Sequence, residues 1–419
     1  MTTNVSKPLV LLGAGASKQA GIPTAVDMTS EMLSFCVNEG KVRYAEAINA
    51  LAHMLKVSAN QYLGVGCADI EGVMNAAQLL ANRFKLEFAP FVGAWHPIIE
   101  EIEKQSFAPW ELEHISRAAA AEGMAEVGRF PDPVRLGQEM ERGVQRALHG
   151  VLSRLAKHIS YRPDGSHFHA LSAYLKGKLM VCTWKETAKE LDYFAPLIEQ
   201  GRKSKITIAT INYDNCIERR ADDLGVPCFT GLKHPTVGEV GGWSVDGTFP
   251  EIDYGIDLIK LHGSITWLWH APQAEALGFE KRIIHELSDD EVREMVTRIK
   301  SGSVSDEAVG AQLAVIFGGH NKLTVEGPFL DLLAKFKAKL KNHQELIVIG
   351  YSFRDPHINY NIVQWLESDR NRRMHVVDPR APDECLFLRF VGDNTTIRQH
   401  VYHREKADEA ILKLFGNAT

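Results

Sequence analysis

Three polar residues are candidates for chemistry because each follows a run of aliphatic residues. Asn212 and Asp214 follow residues 206–211, and His262 follows the stretch "LIKL". An amide and a carboxylate at this place can project into a ligand crevice, and an imidazole can transfer a proton near neutral pH. A local interpretation stays open for the first two, since Asn212 can cap a turn and Asp214 the next helix. The position of His262 at the end of an apolar run favours catalysis over a structural role.

A run of small residues follows the first aliphatic stretch. It reads Gly13, Ala14, Gly15, Ala16 and Ser17. Such a turn lets the backbone approach a phosphate at a helix N-terminus, where free N–H groups favour an anion. It departs from the usual dinucleotide fingerprint because Lys18 stands where the third glycine belongs, and it lacks the Gly-Lys-Ser/Thr ending of a P-loop. By itself it predicts a phosphate site or an ordinary tight turn.

Two later turns have the same character. Gly350 and Ser352 follow the apolar stretch "ELIVI", and Asp378 ends the stretch "MHVVD". Asp378 could bind a ribose hydroxyl, or it could form the turn before Pro379.

The elements that position these residues alternate between strand and helix. Short apolar runs predict buried strands at 9–12, 206–211, 257–269, 345–349 and 374–378, with helical patterns between them. The strand at 257–269 is predicted to break at residues 262–264. This alternation predicts an α/β fold with a doubly wound parallel sheet. In such a sheet the carboxyl ends of the strands share one edge, so the turns at Gly13, Asn212, His262 and Gly350 should gather there.

Two segments interrupt the alternation. Patterns such as "AEAINALAHML", "DIEGVMNAAQLLANRF" and "EMERGVQRALHGVLSRLAKHI" predict a large helical insertion, and "LSDDEVREMVTRI" predicts a smaller one. The predicted organisation is a core of residues 1–43, 204–269 and 319–400, a mainly helical insertion at 44–203, a smaller helical insertion at 270–318 and a C-terminal helix at 401–419.

Composition excludes several classes of protein. The 419 residues carry a net charge of -6, which argues against a large nucleic-acid surface. No stretch approaches 18 uninterrupted apolar residues, and the N-terminal apolar run is too short for an export signal. The six cysteines form no C-x-x-C pair, which predicts reduced core residues and no zinc ribbon. We therefore expect a cytoplasmic protein without a membrane span or a metal.

Taken in order, "GAGASKQAGIP", "TINYD", "KLHGS", "GYSF" and "VVD" resemble the sirtuin-like (silent information regulator-like) NAD-binding domain. The resemblance covers about the first 40 residues, then 205–269 and 322–378, and it implies an open Rossmann-like sheet that binds NAD. Its first motif implies that Ala14, Gly15, Ala16 and Ser17 hold the pyrophosphate side. The same motif implies that Gly13, Gly21, Ile22 and Pro23 also belong to the cofactor site. Asn212 and Asp214 match the family's Asn-hydrophobe-Asp motif, and His262 matches its catalytic histidine. The resemblance places Gly350, Ser352 and Asp378 along the adenosine half.

The chain also departs from deacylating sirtuins. Deacylating sirtuins carry a four-cysteine zinc module between the motifs that correspond to "KLHGS" and "GYSF". In this chain the interval between those two motifs contains no cysteine. In deacylating sirtuins Gly-Ile-Pro is usually followed by Phe-Arg, whereas here it is followed by Thr24-Ala25. The absent zinc module and the large insertions resemble the bacterial sirtuin-like NAD hydrolases of anti-phage defence, some of which pair with a HerA-type hexameric ATPase. The resemblance thus implies a homo-oligomer with a possible ATPase partner.

The resemblance implies hydrolysis of NAD to nicotinamide and ADP-ribose. In this hypothesis Asn212 orients the ribose and water, Asp214 fixes the carboxamide, and His262 acts as base toward a ribose hydroxyl or the water. Two other functions stay open: an NAD-dependent deacylase or ADP-ribosyltransferase, and a non-catalytic NAD or ADP-ribose sensor.

Overall fold

The computed structural model shows two compact units, one of residues 1–24 with 176–419 and one of residues 25–175. It describes residues 8–59, 69–83, 99, 117–118, 121, 139–146, 166–232, 249–270, 283–317, 328–380 and 399–416. The predicted helix in "EMERGVQRALHGVLSRLAKHI" beyond its first eight residues, and most of the predicted loop at 231–255, lie outside the described residues.

The described helices and strands fall into three groups. The first four helices are α1 (Ala25–Asn38), α2 (Val42–Ala59), α3 (Ile70–Ala81) and α4 (Ser166–Thr183). The later helices are α5 (Ala195–Lys203), α6 (Cys216–Asp223), α7 (Asp289–Lys300), α8 (Asp306–Gly310), α9 (Phe329–Lys341), α10 (Pro356–Ser368) and α11 (Ala407–Phe415), with 3₁₀ helices at Ala14–Ala20 and Lys189–Phe194. The strands are β1 (Leu9–Leu12), β2 (Ile206–Thr210), β3 (Cys228–Phe229), β4 (Ile256–Lys260), β5 (Gly263–His270), β6 (Ile283–Glu286), β7 (Leu313–Val315), β8 (Glu345–Ile349), β9 (Arg373–Val377) and β10 (His400–His403). Among these described helices, none combines the length and apolar character that crossing a bilayer requires.

The helical unit forms because its helices bury one apolar face each. Met28, Met32 and Cys36 recur every four residues on α1 and are buried, as expected of one face of a helix. Helix α1 packs against α2 and α3, so the unit starts at residue 25 and not at the predicted 44. Its end at residue 175 also differs from the predicted 203, because α5 packs on α6 and α11 beside the sheet.

The main sheet has seven parallel strands in the order β10-β9-β8-β1-β2-β4-β3 among the described residues. Along β1, Leu9 and Leu11 enter one hydrophobic cluster with residues of α9 and α10, whereas Val10 and Leu12 enter a second cluster with residues of α5 and α11. Successive side chains of a strand point to opposite faces, so helices cover both faces of this sheet. The predicted doubly wound α/β fold is confirmed.

Six strands of this sheet end in one row. Pairing aligns, from one side to the other, His403, Val377, Ile349, Leu12, Thr210 and Lys260. The chain leaves β1 for β2 on one side and later places β8 on the other side of β1. The strand order therefore reverses between β1 and β8, and open α/β sheets bind ligands beyond the carboxyl ends of their strands at such a place. We call this row and the turns beyond it the carboxyl edge.

Three strands form a second, antiparallel sheet in the order β6-β5-β7. The sequence predicted that the strand in "DLIKLHGSITWLW" breaks at His262-Gly263-Ser264, and the structure has its break there. It did not predict that the two parts, β4 and β5, belong to different sheets. The chain changes direction at Gly263, whose φ of +86° lies in the left-handed region. The predicted helical insertion at 270–318 is corrected accordingly, since α7 and α8 are accompanied by β6 and β7.

The C-terminal prediction also needs a correction. Residues 401–419 were expected to form a helix only, but β10 pairs with β9 before α11 begins at Ala407. The sequence of β10, "HVYH", has a single aliphatic residue and gives no apolar run. Its partner strand, and not its own pattern, determines its conformation.

Candidate functional site

The turn after β1 is held against the turn after β8 by backbone hydrogen bonds. The amide of Gly13 donates to Ile349 O and that of Gly15 to Gly350 O, both at 2.9 Å. A Cβ on Gly13 would lie 2.6 Å from Gly350 O, and one on Gly15 2.8 Å from Gly350 Cα. Gly350 itself has a φ of +64°. The two turns approach so closely that a side chain on these glycines would overlap the backbone of the facing turn, so glycine is required at these positions.

This contact bears on the predicted phosphate site. The amides of Gly13 and Gly15 already have carbonyl acceptors, and that of Ala16 donates to Gly13 O at 2.9 Å. Ala14 and Gly15 are half-exposed, whereas Ala16 and Ser17 are buried. Pyrophosphate binding by this turn stays a prediction, and it would have to rely on groups other than these three amides.

The close approach predicts a large stability loss for Gly350→Ala. Its Cβ would overlap the backbone of Gly15 and Ala16, in addition to the cost of a left-handed alanine. We expect a loss of about 2–5 kcal/mol in the free energy of unfolding, as the sum of backbone strain and overpacking. The control is Gly225→Ala, at the same φ of +64° with no atom within 4 Å, which should lose about 1–2 kcal/mol. Thermal unfolding of both variants measures the difference, and equal losses would contradict the packing account.

A chain of side-chain hydrogen bonds joins the turns after β1 and β2. Asn212 Nδ2 donates to Gly13 O at 3.0 Å and to Ser17 Oγ at 3.1 Å, and Ser17 Oγ donates to Asp214 Oδ2 at 2.8 Å. All three side chains are buried. Because Gly13 O can only accept, the nitrogen of the Asn212 amide must face it, which fixes the orientation of the amide.

The Asn212 amide therefore presents one chemical function to a ligand. Both of its hydrogens are donated within the protein, and no group in the described residues donates to its Oδ1. The remaining function is that of a hydrogen-bond acceptor, which suits a hydroxyl group or a water molecule.

Asp214 is engaged by protein groups on each side. Besides Ser17, its carboxylate accepts from the amide of Cys216 at 3.1 Å, at the start of α6. Its carbonyl accepts from Lys260 Nζ at 2.5 Å, and this fully buried ammonium also donates to Glu218 Oε1 at 2.5 Å. Burial raises the pKa of Glu218, although the neighbouring ammonium opposes the shift. Lys260 was not among the predicted functional residues, because in the sequence it shows only as a charge at the end of an apolar strand.

His262 lies beside Asn212 at the carboxyl edge. Thr210 and Lys260 are paired on neighbouring strands, so Asn212 and His262 each lie two residues beyond the same row. Tyr213 stands between the two turns: Ile265 N donates to its carbonyl at 3.0 Å, and its ring centroid is 6.3 Å from that of His262. The structure therefore brings the predicted amide and imidazole to neighbouring turns.

His262 contacts Asp355, which was not among the predicted functional residues. Nε2 of His262 lies 2.9 Å from Oδ2 of Asp355, and both side chains are buried. In the sequence, Asp355 shows only as an Asp-Pro pair at the start of a helical pattern, which indicates a helix cap.

The remaining predicted residues differ in conformation, burial and local contacts. Gly21 ends the first 3₁₀ helix in a left-handed conformation, Ile22 is buried and Pro23 is half-buried. Ser352 is half-buried in the turn after β8. Asp378 accepts from Arg380 with both carboxylate oxygens, at 3.0 and 2.7 Å, and from its amide at 2.9 Å. Its contacts match the turn interpretation, and a ribose contact stays a prediction.

Within the part of the chain that the structure describes, no group of three or more His, Cys, Asp or Glu side chains could hold a metal ion.

Comparison with known proteins gives a partial match. The sequence model of the SIR2-like domain family matches residues 206–391. This segment contains Asn212, Asp214, His262, Gly350 and Asp378, whereas β1 and the turn after it lie outside the match. No curated protein sequence matches the chain.

Solved structures of sirtuins show a distant similarity. The structure of Sir2Tm bound to a propionylated peptide is 14% identical, with a TM-score of 0.35 over 99% of this chain and 94% of that one. A structure solved to explain sirtuin substrate affinity is 13% identical, with a TM-score of 0.35 over the same shares of both chains. Sir2 in complex with the inhibitor EX-527, 2'-O-acetyl-ADP-ribose and a deacetylated p53 peptide is 13% identical, with a TM-score of 0.30 over 54% of this chain and 70% of that chain.

Proposed function

We propose that this protein hydrolyses NAD, cleaving the nicotinamide–ribose bond to give nicotinamide and ADP-ribose. The match of residues 206–391 to the SIR2-like domain supports a site for this dinucleotide. The observation that carries the proposal is the state of Asn212, whose amide is fixed so that only an acceptor oxygen is left beside the turn that carries His262.

The chemistry of the substrate makes few demands on the protein. Nicotinamide leaves a positively charged pyridinium as a neutral molecule and takes the bonding electron pair, so no general acid is needed. The sugar passes through an oxocarbenium-like state, and water adds to its anomeric carbon while one proton is released. The protein has to position the water and the sugar and accept that proton.

The contacts suggest a role for each residue. Asn212 Oδ1 accepts a hydrogen bond from the water or a ribose hydroxyl, and His262 takes the proton. Asp214 was expected to fix the carboxamide, but its carboxylate accepts from Ser17 and from the amide of Cys216. We assign Asp214 to positioning, because through Ser17 it holds the Asn212 amide in place.

The test is to incubate purified protein with NAD alone and to follow nicotinamide and ADP-ribose by chromatography. Equal amounts of both products without any other substrate are expected. Nicotinamide release only with an acyl-lysine peptide would indicate a deacylase, and ADP-ribose on protein would indicate a transferase. Calorimetric binding of NAD without turnover would indicate a sensor.

On the resemblance to bacterial NAD hydrolases, we also propose a cytoplasmic role in anti-phage defence as a homo-oligomer, with a possible HerA-type ATPase partner. Infected cells that express the chain should lose NAD, whereas cells that express Asn212→Ala should not. Unchanged NAD in both, with and without a co-expressed ATPase, would contradict the defence role. Mass measurement of the purified chain tests the oligomer.

A further inference from the structure

The contact between His262 and Asp355 joins two distant parts of the sheet. Strands β4 and β8 are separated by β2 and β1, which at strand spacings of about 4.8 Å puts them about 14 Å apart. The pair, 93 residues apart in sequence, therefore spans the ends of the two central strands. Only 2% of His262 and 3% of Asp355 is exposed to solvent. For a buried contact between such distant strands to form, the structure around each of the two side chains has to fix its position.

Helix α10 holds the carboxylate. Asp355 is its N-cap residue, and Oδ1 accepts from the amides of His357 at 3.1 Å and Ile358 at 3.4 Å. The N-terminus of this 13-residue helix favours a negative charge at this place. One oxygen is thus used by the helix, and Oδ2 is directed at the imidazole.

The turn before the helix holds the backbone of Asp355. Its amide donates to the Tyr351 hydroxyl at 3.2 Å, and that hydroxyl donates to Asn359 Oδ1 at 2.9 Å. Phe353 adopts a left-handed φ of 54°, which costs about 1–2 kcal/mol for a residue with a side chain. Asn359 Nδ2 donates to Phe353 O at 2.7 Å and secures this turn. A strained turn that its surroundings fix is a common feature of functional sites.

We infer that Asp355 is a positioning residue that selects the proton-accepting nitrogen of His262. An ionised carboxylate can only accept, so Nε2 of His262 must carry a hydrogen. In the neutral imidazole the lone pair is then on Nδ1, which makes Nδ1 the base. This inference rests on the proposed function for the identity of the proton donor, which is the water that attacks the sugar.

The proton balance is complete within the site. As the water oxygen bonds to the anomeric carbon, one of its protons moves to Nδ1 and nicotinamide leaves with its electron pair. His262 becomes an imidazolium beside the Asp355 carboxylate, which stabilises the charge, and solvent later removes the proton. A carboxylate that orients a histidine has the same function in Asp-His pairs of hydrolases.

The alternative is that Asp355 only caps the helix, and Asp355→Asn separates the two roles. Asparagine caps helices about as well as aspartate, but it has no charge and its amide can donate to Nε2. We expect kcat for NAD cleavage to fall about 10²–10⁴-fold, with KM within about twofold of wild type. The midpoint of thermal unfolding should change little. The control is Asp69→Asn, which changes another buried aspartate cap, at α3, and should leave kcat unchanged.

A second readout does not depend on activity. In ¹⁵N spectra of histidine-labelled protein, the His262 signals, identified by their loss in His262→Gln, should show a protonated Nε2 and an unprotonated Nδ1. Asp355→Asn should weaken or reverse this pattern. A protonated Nδ1 in the wild type, or an unchanged kcat in Asp355→Asn, would overturn the inference. If the wild type does not cleave NAD, the proposed function fails, while the spectra still decide which nitrogen Asp355 selects.

Discussion

His262→Ala is expected to cleave NAD about 10²–10⁴-fold more slowly than the wild type, as a loss of kcat. An imidazole can accept a proton near neutral pH, His262 places one on the turn next to that of Asn212, and loss of a positioned base has this size of effect. NAD should still bind, because the proposed role of the imidazole, which contacts Asp355, is to accept a proton and not to hold the dinucleotide. Initial rates of nicotinamide release over a range of NAD concentrations give kcat and KM.

The matched control is His343→Ala. His343 precedes β8 at the opposite edge of the same sheet, where Nδ1 lies 2.6 Å from Lys339 O. This variant should keep the wild-type kcat. Similar losses in both histidine variants would indicate a general effect on folding, and a wild-type kcat in His262→Ala would remove this residue from the chemistry.

Asn212→Ala is expected to lower kcat for NAD cleavage about 10²–10³-fold, the loss typical of one preorganised polar group in an active site. It removes the acceptor oxygen and also the hydrogen bonds to Gly13 and Ser17. Asn212→Asp keeps an acceptor but cannot donate to Gly13 O, so it should be impaired as well. Rates are measured as nicotinamide release at saturating NAD.

The matched control for this variant is Asn342→Ala. Asn342 is an exposed residue at the end of α9, at the opposite edge of the sheet. It should leave kcat unchanged. If Asn212→Ala keeps full activity while its unfolding midpoint falls, the amide only joins the two turns and does not act on the substrate.

The sequence predicted the sheet where strands are apolar on both faces. Short, continuously apolar runs such as "LVLL" and "ELIVI" predict buried strands. If these strands are parallel, their carboxyl ends must share one edge of the sheet. A common edge for Asn212 and His262 was therefore predictable from the apolar runs, whereas their neighbouring positions follow from the pairing of β2 with β4 in the structure. Strand β10, with its polar sequence, was not, because its conformation depends on pairing with β9.

The long-range contacts could not be predicted from local patterns. Asp355 and Lys260 look like a helix cap and a strand-end charge in the sequence, and their partners, His262 and Glu218, are distant along the chain. The glycines after β1 show a similar limit. Their pattern indicates a close approach of the backbone, but the structure shows that the approaching group is the turn at Gly350.

The central claim is that Asn212 and His262 act on one sugar, and the double variant Asn212→Ala/His262→Ala tests it most directly. Rates of nicotinamide release from NAD are compared for the wild type, both single variants and the double variant. Residues that act together on one transition state have non-additive effects, so the double variant should be within about tenfold of the slower single variant. A loss equal to the product of the two single losses would show that the residues act independently and would contradict the account.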